Sequence, residues 1–130
     1  MKYILVALLL GTVIIMVACG GRIAKVNAAY RHISQQQAKE IMDNQNAIIL
    51  DVREQEEYDD GHIADAVLLP VNSINETTAA ANVPEKDSVI LVYCRSGNRS
   101  KKAAKMLAEL GYTQVCEFGG INTWPYGIIQ

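Results

Sequence analysis

Residues 88–111 read SVILVYCRSGNRSKKAAKMLAELG, and their reading decides the fold. Ser88 to Tyr93 is a continuous apolar, β-branched run, which suits a strand covered on both faces. Arg99 to Leu110 follows a helical period, with Ala103, Ala104, Leu107 and Leu110 on one side and Gly111 where a C-terminal cap belongs. Between them stands a short loop rich in small and basic residues, with Cys94 at its foot. The unit is therefore strand, loop, helix. Working outward, Ala47–Leu50 and Ala66–Leu69 read as two further short strands, the second ended by Pro70, and Gln114–Phe118 as another. Helices are expected over Ser34–Asn44, where Ser34 and Gln37 have capping-box spacing, over Glu54–Asp60 before Gly61, and over Val71–Ala81. Strands alternating with helices imply an α/β fold, a central parallel sheet between two helical layers joined by right-handed crossovers. Ligands in such folds gather beyond the carboxyl ends of the strands, which makes Cys94 a site candidate on position alone.

The whole chain has 130 residues and a formal charge of −2, which gives no sign of a general affinity for nucleic acid. Charge is unevenly spread. Residues 51–65 hold seven acidic side chains against Arg53 alone, and residues 95–105 hold five basic ones and no acid. The N-terminal segment differs from the rest: MKYILVALLLGTVIIMVACGG has no charge from Tyr3 to Gly21. Its close, Met16-Val17-Ala18-Cys19-Gly20-Gly21, resembles a bacterial lipoprotein signal, in which Cys19 would be lipidated. An uncleaved membrane anchor, or cleavage after Ala28, are the other readings. The expected organisation is a leader or anchor over 1–19, a linker over 20–29 and one folded domain over 30–130. This places the domain on the membrane, on the extracytoplasmic face of a bacterial cell.

The loop after Cys94 suits a sulfur anion. A thiolate, not a thiol, is nucleophilic, and its pKa falls near helix N-termini and cations. Gly97 permits positive φ, and Ser96, Gly97 and Asn98 are small enough for successive backbone N–H groups to turn inward as an anion-binding nest. Arg95 and Arg99 add positive charge.

Cys94-Arg95-Ser96-Gly97-Asn98-Arg99-Ser100 resembles the active-site loop of rhodanese-type sulfurtransferases. Asp51-Val52-Arg53, Glu57-Tyr58, Gly61-His62-Ile63, Leu69-Pro70 and Gly119-Gly120 with Trp124 resemble the motifs of that family in order and spacing, over about Tyr30 to Tyr126. The resemblance implies a rhodanese-like three-layer domain and a Cys94 persulfide, formed from a donor such as thiosulfate and passed to cyanide or a cellular thiol. It implies that the loop amides stabilise the sulfur charge, that Arg95 faces the anionic donor and that Arg99 ties the loop down. Asp51, Arg53 and Ser100 are expected to support the loop and sheet end. No cofactor or metal is expected. The partners expected are a small anionic donor, a thiol acceptor, which a protein could supply, and the membrane.

Competing readings keep the same cysteine. Phosphatases related to this fold carry Arg six places after it, where Ser100 stands here, and the shorter loop fits a sulfur atom better than a phosphate. A persulfide carrier or sulfide-binding module serving a protein partner would need the same loop. A catalytically silent interaction domain would not. Among other residues, Cys116 reads as core, with a disulfide or resolving partner as the alternative, His62 as a turn-fixing side chain, and Trp124 as core or as a lining of the pocket mouth.

Overall fold

The computed structural model describes residues 29–130. The leader, the linker up to Ala28 and Cys19 lie outside the described residues. The elements are β1 (Arg31–His32), α1 (Gln35–Asn44), β2 (Ala47–Asp51), α2 (Gln55–Asp60), β3 (Val67–Leu68), α3 (Glu76–Asn82), β4 (Val89–Cys94), α4 (Asn98–Glu109) and β5 (Gln114–Gly120), with short 3-10 turns at Val71–Ser73 and Ile121–Thr123. The strands form one sheet in the order β1-β5-β4-β2-β3, and every neighbouring pair is parallel. The expected α/β architecture is what the chain adopts.

Alternation along β4 builds two cores. Ile90, Val92 and Cys94 face one side, where Ala103, Ala104 and Leu107 of α4 cover them. Leu91 and Tyr93 face the other, against Ile41 of α1 and Phe118 of β5. From Ile90 onward each side chain along this central strand is therefore buried whichever way it points, which is why the sequence reads as an unbroken apolar run.

Several boundaries differ from those read in the sequence. Ser34 caps α1 as expected, its hydroxyl accepting from Gln37 N–H while the Gln37 side chain accepts from Ser34 N–H. The stretch expected as one helix over Val71–Ala81 is two pieces, because Asn75 forms its own capping box with Thr78 and starts α3 afresh. Cys94 is the last residue of β4 rather than the first beyond it. Strand β5 runs to Gly120, so that Gly120 pairs with Cys94 across the sheet.

Candidate active site

The site is assembled where β4 ends and α4 begins. Gly97, at φ 111°, occupies the left-handed region that a side chain disfavours, and from there the chain turns into α4. This turn sends the Gly97 N–H to Cys94 Sγ at 3.0 Å. Cys94 is 1% exposed and free. Burial pushes its thiol up, but the Ser100 hydroxyl and the backbone N–H groups of Ser100, Gly97 and Ser96 outweigh it and bring the thiol below its ordinary value. The loop thus stabilises sulfur as an anion through the Ser100 hydroxyl together with fixed amides, and the amides need no reorganisation when charge appears.

Close approach by β5 closes the floor of the loop. A Cβ on Gly120 would lie 1.9 Å from the Arg95 carbonyl oxygen and 2.6 Å from Ser96 N. Asn122 N–H donates to that same Arg95 carbonyl at 3.2 Å. Gly120→Ala must therefore move the loop or the strand. It is expected to cost about 2–3 kcal/mol and to slow Cys94 alkylation at neutral pH at least tenfold, read by urea unfolding and iodoacetamide kinetics. A variant with wild-type alkylation would show that the loop geometry does not depend on this contact.

The two arginines of the loop have different fates. Arg95 is exposed and forms no ion pair among the described residues. Arg99 forks onto Glu57 at 2.7 and 2.8 Å, joining α4 to α2. The Arg99 guanidinium holds the Glu57 carboxyl down at about 2, so the pair is intact through the neutral range. The positive charge of Arg99 also reaches Cys94. Ser96 and Asn98 are exposed on the rim, and Ser100 is buried with its hydroxyl 3.5 Å from Cys94 Sγ.

Asp51 and Arg53 do not touch the sulfur. Asp51 is fully buried and accepts from Arg53 Nε at 3.0 Å, from an Arg53 terminal nitrogen at 2.7 Å and from the Tyr93 hydroxyl at 2.7 Å. Arg53 also donates to the Gly61 carbonyl at 2.7 Å, and Tyr93 accepts from Ile63 N–H at 3.0 Å. This network ties the Gly61–Ile63 turn to the strand that carries Cys94. His62 stacks on Tyr58 and hydrogen-bonds its carbonyl, a turn-fixing role. Trp124 packs against Phe118 and Tyr126 at the edge of the second core. Cys116 is buried in β5 and is not bonded to Cys94.

One site residue was not singled out in the sequence. Glu117, fully buried in β5, accepts from the Ser100 hydroxyl at 2.9 Å and from Gly119 N–H at 3.0 Å, and contacts His32 Nδ1. A charged residue inside the apolar run Val115–Phe118 was the available signal. Among the described residues no cluster of His, Cys, Asp or Glu is arranged to hold a metal ion.

A parallel α/β sheet with an amide-ringed cysteine at its carboxyl end defines a class of proteins whose loop is shaped to hold an anion beside the sulfur. Within that class the chain belongs to the rhodanese family: the rhodanese-like domain model matches residues 34–125. It is 35% identical over 96 residues to a thiosulfate sulfurtransferase GlpE of Coxiella burnetii, covering 73% of this chain and 87% of the relative. It is 39% identical over 73 residues to the thiosulfate sulfurtransferase PspE of Escherichia coli K12, covering 56% of this chain and 69% of that one. Among solved structures it is similar to a rhodanese from E. coli described with anions, with TM-score 0.61, 30% identity and coverage of 65% of this chain and 99% of that one. A rhodanese-related protein from Thermoplasma volcanium gives TM-score 0.63 at 32% identity, covering 77% and 98%. The chain is a rhodanese-type sulfurtransferase.

Proposed function

We propose that Cys94 is the nucleophile of this transfer and that it carries the sulfur as a persulfide. The Cys94 thiolate attacks the outer sulfur of a thiosulfate-type donor. A new S–S bond forms, the donor's S–S bond breaks, and sulfite leaves with the electron pair. Charge then rests on the outer sulfur, within reach of the inward-turned amides of Ser96, Gly97 and Ser100. Attack by cyanide or a cellular thiolate on that outer sulfur returns the Cys94 thiolate. The observation that carries the reading is the hydrogen bond from Gly97 N–H to Sγ within this amide ring. Arg95, exposed beside it, acts as the electrostatic recruiter of an anionic donor. Phosphate chemistry is disfavoured because the Arg99 fork, which would have to clasp phosphate oxygens, is occupied by Glu57.

Intact mass spectrometry tests this directly. Incubation of the full chain with thiosulfate is expected to add the mass of one sulfur, mapped to the Cys94 peptide and removed by cyanide. No adduct, or one mapped elsewhere, would remove Cys94 from the mechanism. The same spectrum, taken on protein from membranes, reads the proposed Cys19 lipidation and extracytoplasmic anchoring as a mass gain on a shortened chain. An unmodified full-length mass there would sink the Cys19 lipidation proposal and favour the uncleaved anchor instead.

A further inference from the structure

Behind the loop lies a buried carboxylate that sulfur transfer does not itself require. Glu117 is in register with Val92 of β4 and His32 of β1, so it sits in the middle of the sheet beneath the start of α4. A carboxylate is tolerated there because it is hydrogen-bonded by Ser100, Gly119 and His32. The same Ser100 oxygen stands 3.5 Å from Cys94 Sγ.

A hydroxyl has one proton to give. Around Ser100 Oγ the acceptors are Glu117 at 2.9 Å, the Gly97 carbonyl at 2.9 Å and the Gly119 carbonyl at 3.4 Å. An ionised carboxylate is the strongest of these. While Ser100 donates to Glu117, its oxygen presents a lone pair to the sulfur, which suits S–H and opposes S⁻. A thiolate needs the reverse, with the hydroxyl proton turned toward sulfur. The two anions cannot both have it.

We propose that Glu117 is a positioning residue that competes with the Cys94 thiolate for the single Ser100 proton, and so restrains the nucleophile that the loop amides activate. The restraint combines a lost hydrogen bond with a second negative charge one hydroxyl away. The other titratable or charged groups facing this cluster are His32 from β1, whose side chain is 64% exposed and which contacts the Glu117 carboxylate, and Arg99 from α4, which favours the thiolate but is held by Glu57. Neither intervenes between Ser100 and its two claimants. Once a persulfide forms, charge moves to the outer sulfur and the Ser100 proton is free for Glu117. The competition therefore favours the sulfur-loaded enzyme over the bare thiolate.

This deepens the persulfide reading and takes its meaning from it, but its test reads proton positions rather than turnover, so the two can fail separately. Glu117→Gln, made in the full chain, keeps the shape and the ability to accept from Ser100 and Gly119 without the charge. The midpoint of the pH profile for iodoacetamide alkylation of Cys94 is expected to fall by about one pH unit. An unchanged or raised midpoint overturns the proposal, because a loosened loop loses amide donors and moves the midpoint upward. Wild-type protein gives a second reading that needs no folded Gln variant. With 13C-labelled glutamate carboxyls, the Glu117 signal is expected to shift at the pH where thiolate absorbance appears, and to lose that shift in Cys94→Ser. A Glu117 signal that ignores the thiol titration would also overturn it.

Discussion

Replacing Cys94 with alanine is expected to lower thiosulfate-to-cyanide sulfur transfer by about a thousandfold or more, with the fold retained. The size of the effect follows from the chemistry: no other described cysteine is free to carry sulfur, and binding groups alone leave only a small residual rate. Retention of the fold follows from position. Cys94 ends β4, and removing Sγ deletes one small buried atom and one acceptor for Gly97 N–H, a cost of about 1–2 kcal/mol. Cys94→Ser separates the two roles of sulfur. Its hydroxyl accepts the Gly97 hydrogen bond and should restore most of that stability, yet it remains protonated at neutral pH and should be as inactive as alanine. Steady-state assays beside thermal melts of both variants read these outcomes. Activity above about a tenth of wild type in either would mean that another group carries the sulfur.

What could be read from the sequence was what is local. The strand, loop and helix around Cys94 are contiguous, so the apolar run, Gly97 and the period of α4 announce both the fold and the candidate cysteine site from one 24-residue stretch. Strand β1 was missed because two residues, Arg31 and His32, carry no period at all, and only pairing with β5 makes them a strand. The end of β5 was misplaced for a related reason. Gly119-Gly120 has the composition of a turn, but Gly120 lacks a side chain so that β5 can pass beneath Arg95. The anchors of the loop are distant in sequence. Glu57 meets Arg99 across 42 positions and His32 meets Glu117 across 85, and no periodicity joins residues that far apart. Glu117 was the least legible. A lone acid in a strand is ordinarily a solvated side chain, and its burial is set by the order of strands rather than by its neighbours.

The largest effect on stability is expected at Asp51, which never approaches the sulfur. Asp51→Ala should lower unfolding free energy by about 3–5 kcal/mol, since it leaves the 5%-exposed Arg53 without its counter-charge. It also strands the Tyr93 hydroxyl, whose ionisation burial and the Asp51 bond push up, so that it stays a neutral donor seeking an acceptor. For a domain of this size a loss of 3 kcal/mol corresponds to a fall in Tm of about 12 °C or more, against a total stability of about 5–15 kcal/mol. Asp51→Asn should recover part of it, because an amide oxygen can accept from Tyr93 or Arg53 but supplies no charge. The pair itself is isolated by Asp51→Ala/Arg53→Met. Removing both charges takes away the uncompensated cation, so the double variant should be more stable than Asp51→Ala alone. Urea unfolding of the three variants measures this order. Should Asp51→Ala cost under about 1 kcal/mol, the carboxylate is not what fastens the Gly61–Ile63 turn to the strand bearing Cys94. Should the double variant fall below the single one, the penalty lies in lost packing of the Arg53 stem and not in a stranded charge.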